Sequence, residues 1–343
     1  MTMCVSMPST GLEGSGVADA ISVAVGIVVN DQGRVLIARR HDTSHQGGKW
    51  EFPGGKKEAG ESPLDALRRE LNEELGIHVQ TAQPLIQIRH SYPEKAVHLD
   101  VWRVTRFAGD PHGREGQPLR WVTLSELHGV ELPEADRPIL MALWLPRLYL
   151  ITDSKPLGRG DFLQRLEQAL VAGAKLIQLR EPQLSPRDYC VLAKQVADLC
   201  HQYSARLLLN AEPEVVGESG ADGIHLNSHR LVLLKERPLS SSHLVAASCH
   251  NATQIERARQ LGADFIVLSP VRPTPSHPGA TPLGWERFGA LCATASMPVF
   301  ALGGMRAEDT ERARLAGAQG LAMISGVWDA SDLKSVVAQL SEQ

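Results

Sequence analysis

The sequence predicts an α/β chain of two parts, a mixed strand-and-helix domain followed by a (β/α)8 TIM barrel. Three observations carry this. The 343 residues suit about two domains of ordinary size. From Ile21 to about Leu145, short strands alternate around one strongly amphipathic helix. Beyond Pro146 the phrases AGAKLIQLRE, SGADGIHLN, LGADFIVLSP and AGAQGLAMIS recur, each a Gly-Ala step after a helix-like stretch and then an apolar strand.

Residues 1–20 are rich in Gly and Ser and lack a basic n-region and an apolar h-region. They read as a disordered tail and not as a signal peptide. The β-rich runs ISVAVGIVVN and GRVLIARR follow, joined by the turn Asp31-Gln32-Gly33. Ser62 then supplies an N-cap and Pro63 a first helical residue. Leu64, Leu67, Leu71 and Leu75 are spaced three and four apart, an apolar stripe that Gly76 stops. LIQIRH, HLDVWRVTRF and RWVTL read as further strands, with Trp50, Trp102 and Trp121 as packing residues. The linker Leu145-Pro146-Arg147 is too short for free tumbling, so a domain over 21–145 should touch one over 147–343. In the second half Gly173, Gly220, Gly262 and Gly317 fit C′ caps. Adding RLYLIT, RLLLN, HLVAAS and PVFALGG makes eight apolar strands alternating with helices, the pattern of a parallel sheet. Eight units in about 195 residues point to a compact closed barrel. A doubly wound open sheet is the alternative.

Hydrophobic residues at 43% and charged residues at 22% exclude disorder along the whole chain. A net charge of −4 offers no general attraction to a nucleic-acid backbone, so no direct nucleic-acid partner is expected. No apolar run approaches the roughly 18 residues of a membrane span. Cys4, Cys190, Cys200, Cys249 and Cys292 contain no CxxC pair and are odd in number. They read as small buried apolar residues of a cytoplasmic protein, not as a disulfide framework or a zinc site.

The most informative segment runs from Gly55 to Ile77. Glu70, Glu73 and Glu74 project from one side of a helix. Three carboxylates this close repel one another unless a cation is present. Mg2+ suits them, with Mn2+ as a substitute: a hard ion prefers carboxylate oxygens, retains waters and partners with phosphates. Such an ion would neutralise a polyphosphate and position or acidify an attacking water. Arg69 can pair with one of the acids bidentately. A solvated acidic face is the alternative, but Gly-x5-Glu-x7-Arg-Glu-Leu-x-Glu-Glu-x-Gly-Ile is too constrained for it.

This pattern resembles the box of the Nudix hydrolases at every position. From about Ser22 to Pro138 the chain is similar to the MutT-type 8-oxo-dGTP diphosphatases, through WEFPGGK, GREGQP and PEADRP. The resemblance implies an α/β/α sandwich and Mg2+-dependent attack of water on a nucleoside triphosphate, giving the monophosphate and diphosphate. It implies that Glu70, Glu73 and Glu74 hold metal with a carbonyl of Gly55 or Gly54, and that Glu70 is the general base. Glu115 would be a further carboxylate on a loop closing over the metal, and Arg40 would face a phosphate. Glu61 and Arg69 would orient the helix. Asp136 stands where the family carries an Asn that reads the oxidised base. An ionised Asp only accepts hydrogen bonds, so Asp136 would read guanine N1–H and N2–H2, or bind protonated. A surface Asp near a Pro is the other reading. His45 and Tyr92 would border the base or serve ordinary structural roles.

Barrel sites lie at the carboxyl ends of strands. There the sequence places Gln178-Leu179-Arg180-Glu181, Asn210, Ser248-Cys249-His250, the stretch from Pro270 to Thr274, Gly303-Gly304 and Ser325-Gly326. The last two pairs match the backbone phosphate site of barrels. For Gly303-Gly304 a tight strand-to-helix turn is the alternative. Arg180 suits a phosphate or pyrophosphate. His225, within a strand, reads as a hydrogen-bonded core residue.

Through LYLITD, IQLRE, GADGIHL, ASCH, GADFIVLSPVRPT and LGGM, this half resembles the thiamine phosphate synthases and their thiazole tautomerase relatives. The resemblance implies that Gln178, Arg180 and Asn210 face a pyrimidine pyrophosphate, and that Thr274, Gly304 and Ser325 hold a thiazole phosphate. Ala211 and Arg230 stand where the family has acids, and Pro182 where it has Lys. Losing two metal carboxylates and that Lys should weaken Mg2+-pyrophosphate chemistry. The tautomerase branch needs no metal, and His250 is placed for its proton transfer.

The expectation is an 8-oxo-dGTP diphosphatase protecting DNA replication, fused to a barrel that is tautomerase-like or degenerate. A full synthase is second. One alternative is a thiamine-pathway protein whose first half removes thiamine pyrophosphate analogues. Another makes the barrel a non-catalytic phosphate-ligand sensor. The implied partners are a nucleoside triphosphate and a phosphorylated small molecule, with no membrane, and the oligomeric state stays open.

Overall fold

The computed structural model describes residues 20–41, 46–92, 95–154, 158–274 and 279–341. Residues 1–19 of the expected tail, Cys4 among them, and His45 lie outside the described residues. The first half runs β1 (Ile21–Val28), β2 (Val35–Arg39), β3 (Trp50–Glu51), β4 (Gly54–Lys56), α1 (Pro63–Leu75), β5 (His78–Ser91), β6 (Ala96–Ala108), β7 (Leu119–Val122) and α2 (Arg137–Trp144). One sheet has the order β4-β1-β6-β5 and the other β3-β2-β7.

The runs joined by Asp31-Gln32-Gly33 are not a paired hairpin. β1 and β2 share a bridge at Val29 and Val35 and then part into different sheets. The turn itself forms: Asn30 Oδ1 accepts from the N–H groups of Gln32 and Arg34, each at 3.0 Å. Both strands are apolar on two faces, so no alternation marked which neighbour each would take.

α1 forms where its signals place it. Ser62 Oγ accepts the Asp65 N–H, and Gly76 ends the helix in the left-handed region at φ 72°. Leu67, Leu71 and Leu75 are fully buried with Ala24, Val28, Leu36 and Val104. Burial of each such leucine contributes about 1.5–3 kcal/mol. Gly26 lets the helix approach, since a Cβ there would fall 2.9 Å from Leu71 Cδ1. On the opposite side Val25, Ile27, Ile37 and Val101 pack with Ile139 of α2, which completes an α/β/α sandwich. β5 begins at His78, earlier than the LIQIRH run, because Pro84 and polar residues mask its first part. Register shifts at Val79/Thr81 and Pro84/Ile86 absorb the irregularity.

In the second half β8 (Leu148–Ile151), β9 (Leu176–Leu179), β10 (Arg206–Leu209), β11 (Gly223–Leu226), β12 (Leu244–Cys249), β13 (Phe265–Leu268), β14 (Val299–Ala301) and β15 (Gly320–Met323) close into a parallel barrel. Helices intervene between successive strands, and β8 pairs with both β9 and β15, so the sheet closes on itself and the open-sheet alternative is set aside. Gly220 and Gly262 end their helices at φ 75° as C-caps. Tyr149, Phe265 and Phe300 fill the barrel axis, with ring centroids 5.3 and 5.5 Å apart along that series.

The two halves touch. Leu145 is buried among the barrel's inner residues at the strand starts, with Met141 of α2 packed beside it. Gln319 Nε2 donates to the carbonyls of Ala142 (3.0 Å) and Leu145 (2.9 Å), which cap the end of α2. The Arg206 guanidinium lies 3.7 Å from the Trp144 ring centre. Cys190, Cys200, Cys249 and Cys292 are free thiols. Among the described residues no helix is long and apolar enough to cross a membrane.

Candidate active sites

Arg69 organises the acidic face of α1. Its Nε and Nη2 hold Glu61 bidentately at 2.8 and 3.0 Å, and Nη2 also donates to Lys56 O at 2.9 Å. Arg69 holds the Glu61 carboxyl down to about 2. These ties lock the helix onto the loop before it. Arg69 Nη1 reaches Glu70 at 2.8 Å and Glu73 at 3.2 Å.

The Glu70 carboxyl presses on Gly55: an added Cβ there would lie 2.1 Å from Glu70 Cδ. A side chain at position 55 would therefore push the Glu70 carboxyl aside. Glu74 accepts the Gly54 N–H at 3.3 Å. Burial, and then the negative charges of Glu70, Glu51 and Glu115, push Glu74 up to about 8. Glu115 sits in a turn fixed to the end of α1, where the Arg114 N–H donates to Glu74 O at 2.9 Å and Arg114 Nη1 to Asn72 O at 3.0 Å. Glu70 lies against Gly55 and Glu74 lies near both Glu70 and Glu115, while Glu73 points outward at 57% exposure.

Among the described residues no three His, Cys, Asp or Glu side chains are gathered as a metal site, and Arg69 draws Glu70 and Glu73 to itself. The donor set nevertheless fits Mg2+ or Mn2+. It consists of carboxylates beside backbone carbonyls, which are hard-ion ligands. The Glu70 carboxyl lies against Gly55 and Glu74 accepts the Gly54 N–H, so the two carboxylates converge on the glycine backbone.

Beside these acids lies a cavity of about 230 Å3, lined in part by Arg40, Glu51, Tyr92 and Asp136. Arg40 is ion-paired with Glu51. Asp136 is 7% exposed, which removes the surface reading. Burial, then Glu51, push its carboxyl up to about 7 against the opposing charge of Arg40. At neutral pH such a group is part protonated and, like an amide, can both donate and accept. Glu51 was not singled out in the sequence. A lone acid between Trp50 and Phe52 was the available signal, and it raises both Glu74 and Asp136.

The barrel carries a cavity of about 540 Å3 at the carboxyl ends of its strands. Gln178, Arg180, Asn210, His250, Thr274, Gly304 and Ser325 all line it. Gly304, at φ 65°, approaches its neighbours so closely that a Cβ would lie 2.8 Å from Pro273 O. His250 Nδ1 donates to Ser269 O at 2.7 Å, so Nε2 is the basic nitrogen of the neutral ring. Arg230 donates to Asn210 Oδ1 at 3.1 Å and to Glu212 Oε1 at 2.8 Å, a cation in place of an acid. Glu181, buried, is taken up by Thr152 Oγ1 (2.5 Å) and Ser154 Oγ (2.6 Å). His225 is a hydrogen-bonded core residue as expected, and burial and Arg180 push it down to about 3. Ser248, 2.8 Å from His225 Nε2, also lines the cavity, a role its place at the strand end did not single out.

A family model described as thiamine monophosphate synthase matches residues 148–327, and one described as NUDIX domain matches 24–142. The 8-oxo-dGTP diphosphatase of Escherichia coli is 39% identical over 123 residues, covering 36% of this chain and 95% of its own. The thiamine-phosphate synthase of Chloroflexus aurantiacus is 31% identical, covering 57% of this chain and 90% of its own. That of Fusobacterium nucleatum is 29% identical, covering 57% and 95%.

Proposed function

The chain belongs to the thiamine monophosphate synthase family in its barrel and to the Nudix hydrolases, with MutT-type homologues, in its first half, and on that premise we propose that it hydrolyses 8-oxo-dGTP to 8-oxo-dGMP and diphosphate. The supporting observation is the convergence of the Glu70 and Glu74 carboxylates on Gly54 and Gly55, beside a cavity that Arg40 and Asp136 line. Glu70, Glu73, Glu74 and Glu115, with the Gly55 carbonyl, would hold Mg2+ or Mn2+. That ion would supply positive charge to the triphosphate. Glu70 takes the proton of the attacking water. Arg40 meets a phosphate oxygen.

Asp136 reads the base. Oxidised guanine carries an N7–H donor beside the O6 acceptor, where guanine has two acceptors. A protonated carboxyl accepts from N7–H and donates to O6, and so matches only the oxidised base fully. The test is kcat/KM with Mg2+ for 8-oxo-dGTP, dGTP and 8-oxo-GTP, together with Glu70→Gln. A strong preference for 8-oxo-dGTP is expected. Glu70→Gln should lose about 10²- to 10⁴-fold in turnover while still melting as a folded chain. Equal use of dGTP, or undiminished turnover in the variant, refutes the reading.

For the barrel, the Arg230 contacts to Asn210 and Glu212 favour chemistry without metal. A phosphorylated small molecule would rest on Thr274, Gly304, Ser325 and Arg180, with His250 moving a proton as in a tautomerase. Titration of thiazole phosphate in EDTA, with tautomerisation followed separately, is the test. Binding without turnover identifies a sensor, and Mg2+-dependent condensation with a pyrimidine pyrophosphate would overturn the reading in favour of a synthase. The functional units are 21–145 and 147–343, working in the cytoplasm on small phosphorylated substrates, apart from nucleic acid and membrane.

A further inference from the structure

We propose that Arg230 sets the direction of a buried hydrogen-bond chain that crosses the barrel and ends by presenting the Ser248 hydroxyl to the cavity as a donor. The chain runs Arg230, Asn210, Gln178, Tyr149, His225, Ser248. A guanidinium has donors and no acceptor. Its Nη1 therefore fixes Asn210 with Oδ1 toward it, at 3.1 Å. Asn210 Nδ2 is left to donate to Gln178 Oε1, a long contact at 3.4 Å. Gln178 then has Nε2 facing Tyr149 Oη, at 3.1 Å.

Tyr149 accepts that bond, so its own proton needs another acceptor. Among the described residues the remaining partner of Tyr149 Oη is His225 Nδ1, at 3.1 Å. A buried hydroxyl left without an acceptor would be costly, so Tyr149 donates to Nδ1. His225 is neutral, as its burial requires. Its proton therefore lies on Nε2, which donates to Ser248 Oγ at 2.8 Å. With that oxygen already accepting, and with the cavity before it, the Ser248 O–H is directed at the ligand.

Arg230 is a positioning residue here, since it acts through the residues between. The consequence goes beyond the identity of the barrel's substrate. Any compound that fits must offer an acceptor atom to Ser248, such as a ring nitrogen or an anionic oxygen. A carboxylate at position 230 would reverse every link. It can only accept, so Asn210 and Gln178 would turn over, Tyr149 would donate to Gln178, and His225 would carry its proton on Nδ1.

The experiment is 15N NMR of the full chain labelled at histidine, with the His225 signals assigned by their loss in His225→Asn. The wild type should show a protonated-type shift at Nε2 and an unprotonated-type shift at Nδ1. Arg230→Lys, which still only donates, should keep that pattern. Arg230→Glu should exchange the two shifts. Asn210→Asp, which only accepts at the second link, should exchange them as well and serves if Arg230→Glu does not fold. A wild-type proton on Nδ1, or an unchanged tautomer in a folded Arg230→Glu or Asn210→Asp chain, overturns the proposal.

Discussion

Asp136→Asn separates the charge of Asp136 from its shape. Its carboxyl is raised from the ordinary 3.8 to about 7, chiefly by burial. At about 1.36 kcal/mol per pH unit, ionising it in place costs roughly 4 kcal/mol. The sign follows from linkage. Below about pH 4 the group is protonated in both folded and unfolded chains, and nothing is lost. Between that and about pH 7 the unfolded chain releases its proton first, so stability falls as pH rises. Above about pH 7 the full cost persists. The Asn variant should therefore track the wild type near pH 4 and exceed it by up to roughly 4 kcal/mol near pH 8, as urea unfolding would measure.

Selectivity should follow the same proton. The wild-type ratio of kcat/KM for 8-oxo-dGTP over dGTP should fall up to about tenfold per pH unit above about 7, while the variant holds its ratio flat. Glu74, pushed up to about 8, titrates nearby but serves both substrates alike, so the ratio cancels it. Parallel ratios for wild type and variant across that range would refute the reasoning, because base reading would then not depend on a protonated Asp136.

Gly55→Ala should displace the Glu70 carboxyl, since the new Cβ would stand 2.1 Å from Glu70 Cδ. We expect kcat to drop about 10²-fold with little change in the Tm of α1 unfolding, and equal losses in both would argue for a folding role alone. Gln319→Ala leaves the carbonyls of Ala142 and Leu145 without their donor, so urea unfolding should show a loss of about 1–3 kcal/mol. EDTA should abolish nucleotide hydrolysis and leave binding of thiazole phosphate by the barrel unchanged, as titration calorimetry would report.

What the sequence made legible was what local spacing encodes. Ser62, Pro63, the leucine stripe and Gly76 specify α1 within a few turns, because helix caps and faces depend on residues three and four apart. The barrel was legible through repetition, each Gly-Ala step marking the same passage from helix to strand. The partners of β1 and β2 were not, since two all-apolar strands carry no facing pattern. Nor was the burial of Asp136 or its coupling to Glu51, residues far apart in sequence that folding brings to one cavity. The chain from Arg230 to Ser248 is of this second kind. His225 read as an ordinary core residue and Tyr149 drew no reading at all, and only the link between them, across 76 positions, gives either a direction.

The junction bears on why the two halves share a chain. Leu145 and Met141 enter the barrel at the starts of its strands, and Gln319 and Arg206 fasten α2 there. The barrel cavity lies at the opposite, carboxyl ends. Among the described residues none lines both that cavity and the one holding Arg40 and Asp136. The barrel's own packed axis of Tyr149, Phe265 and Phe300 stands between the junction and the cavity. The fusion fixes the halves to each other through buried contacts on the side away from the barrel cavity, so we expect each site to keep its own substrate and its own dependence on metal, which kinetics of the two activities measured together and apart would check.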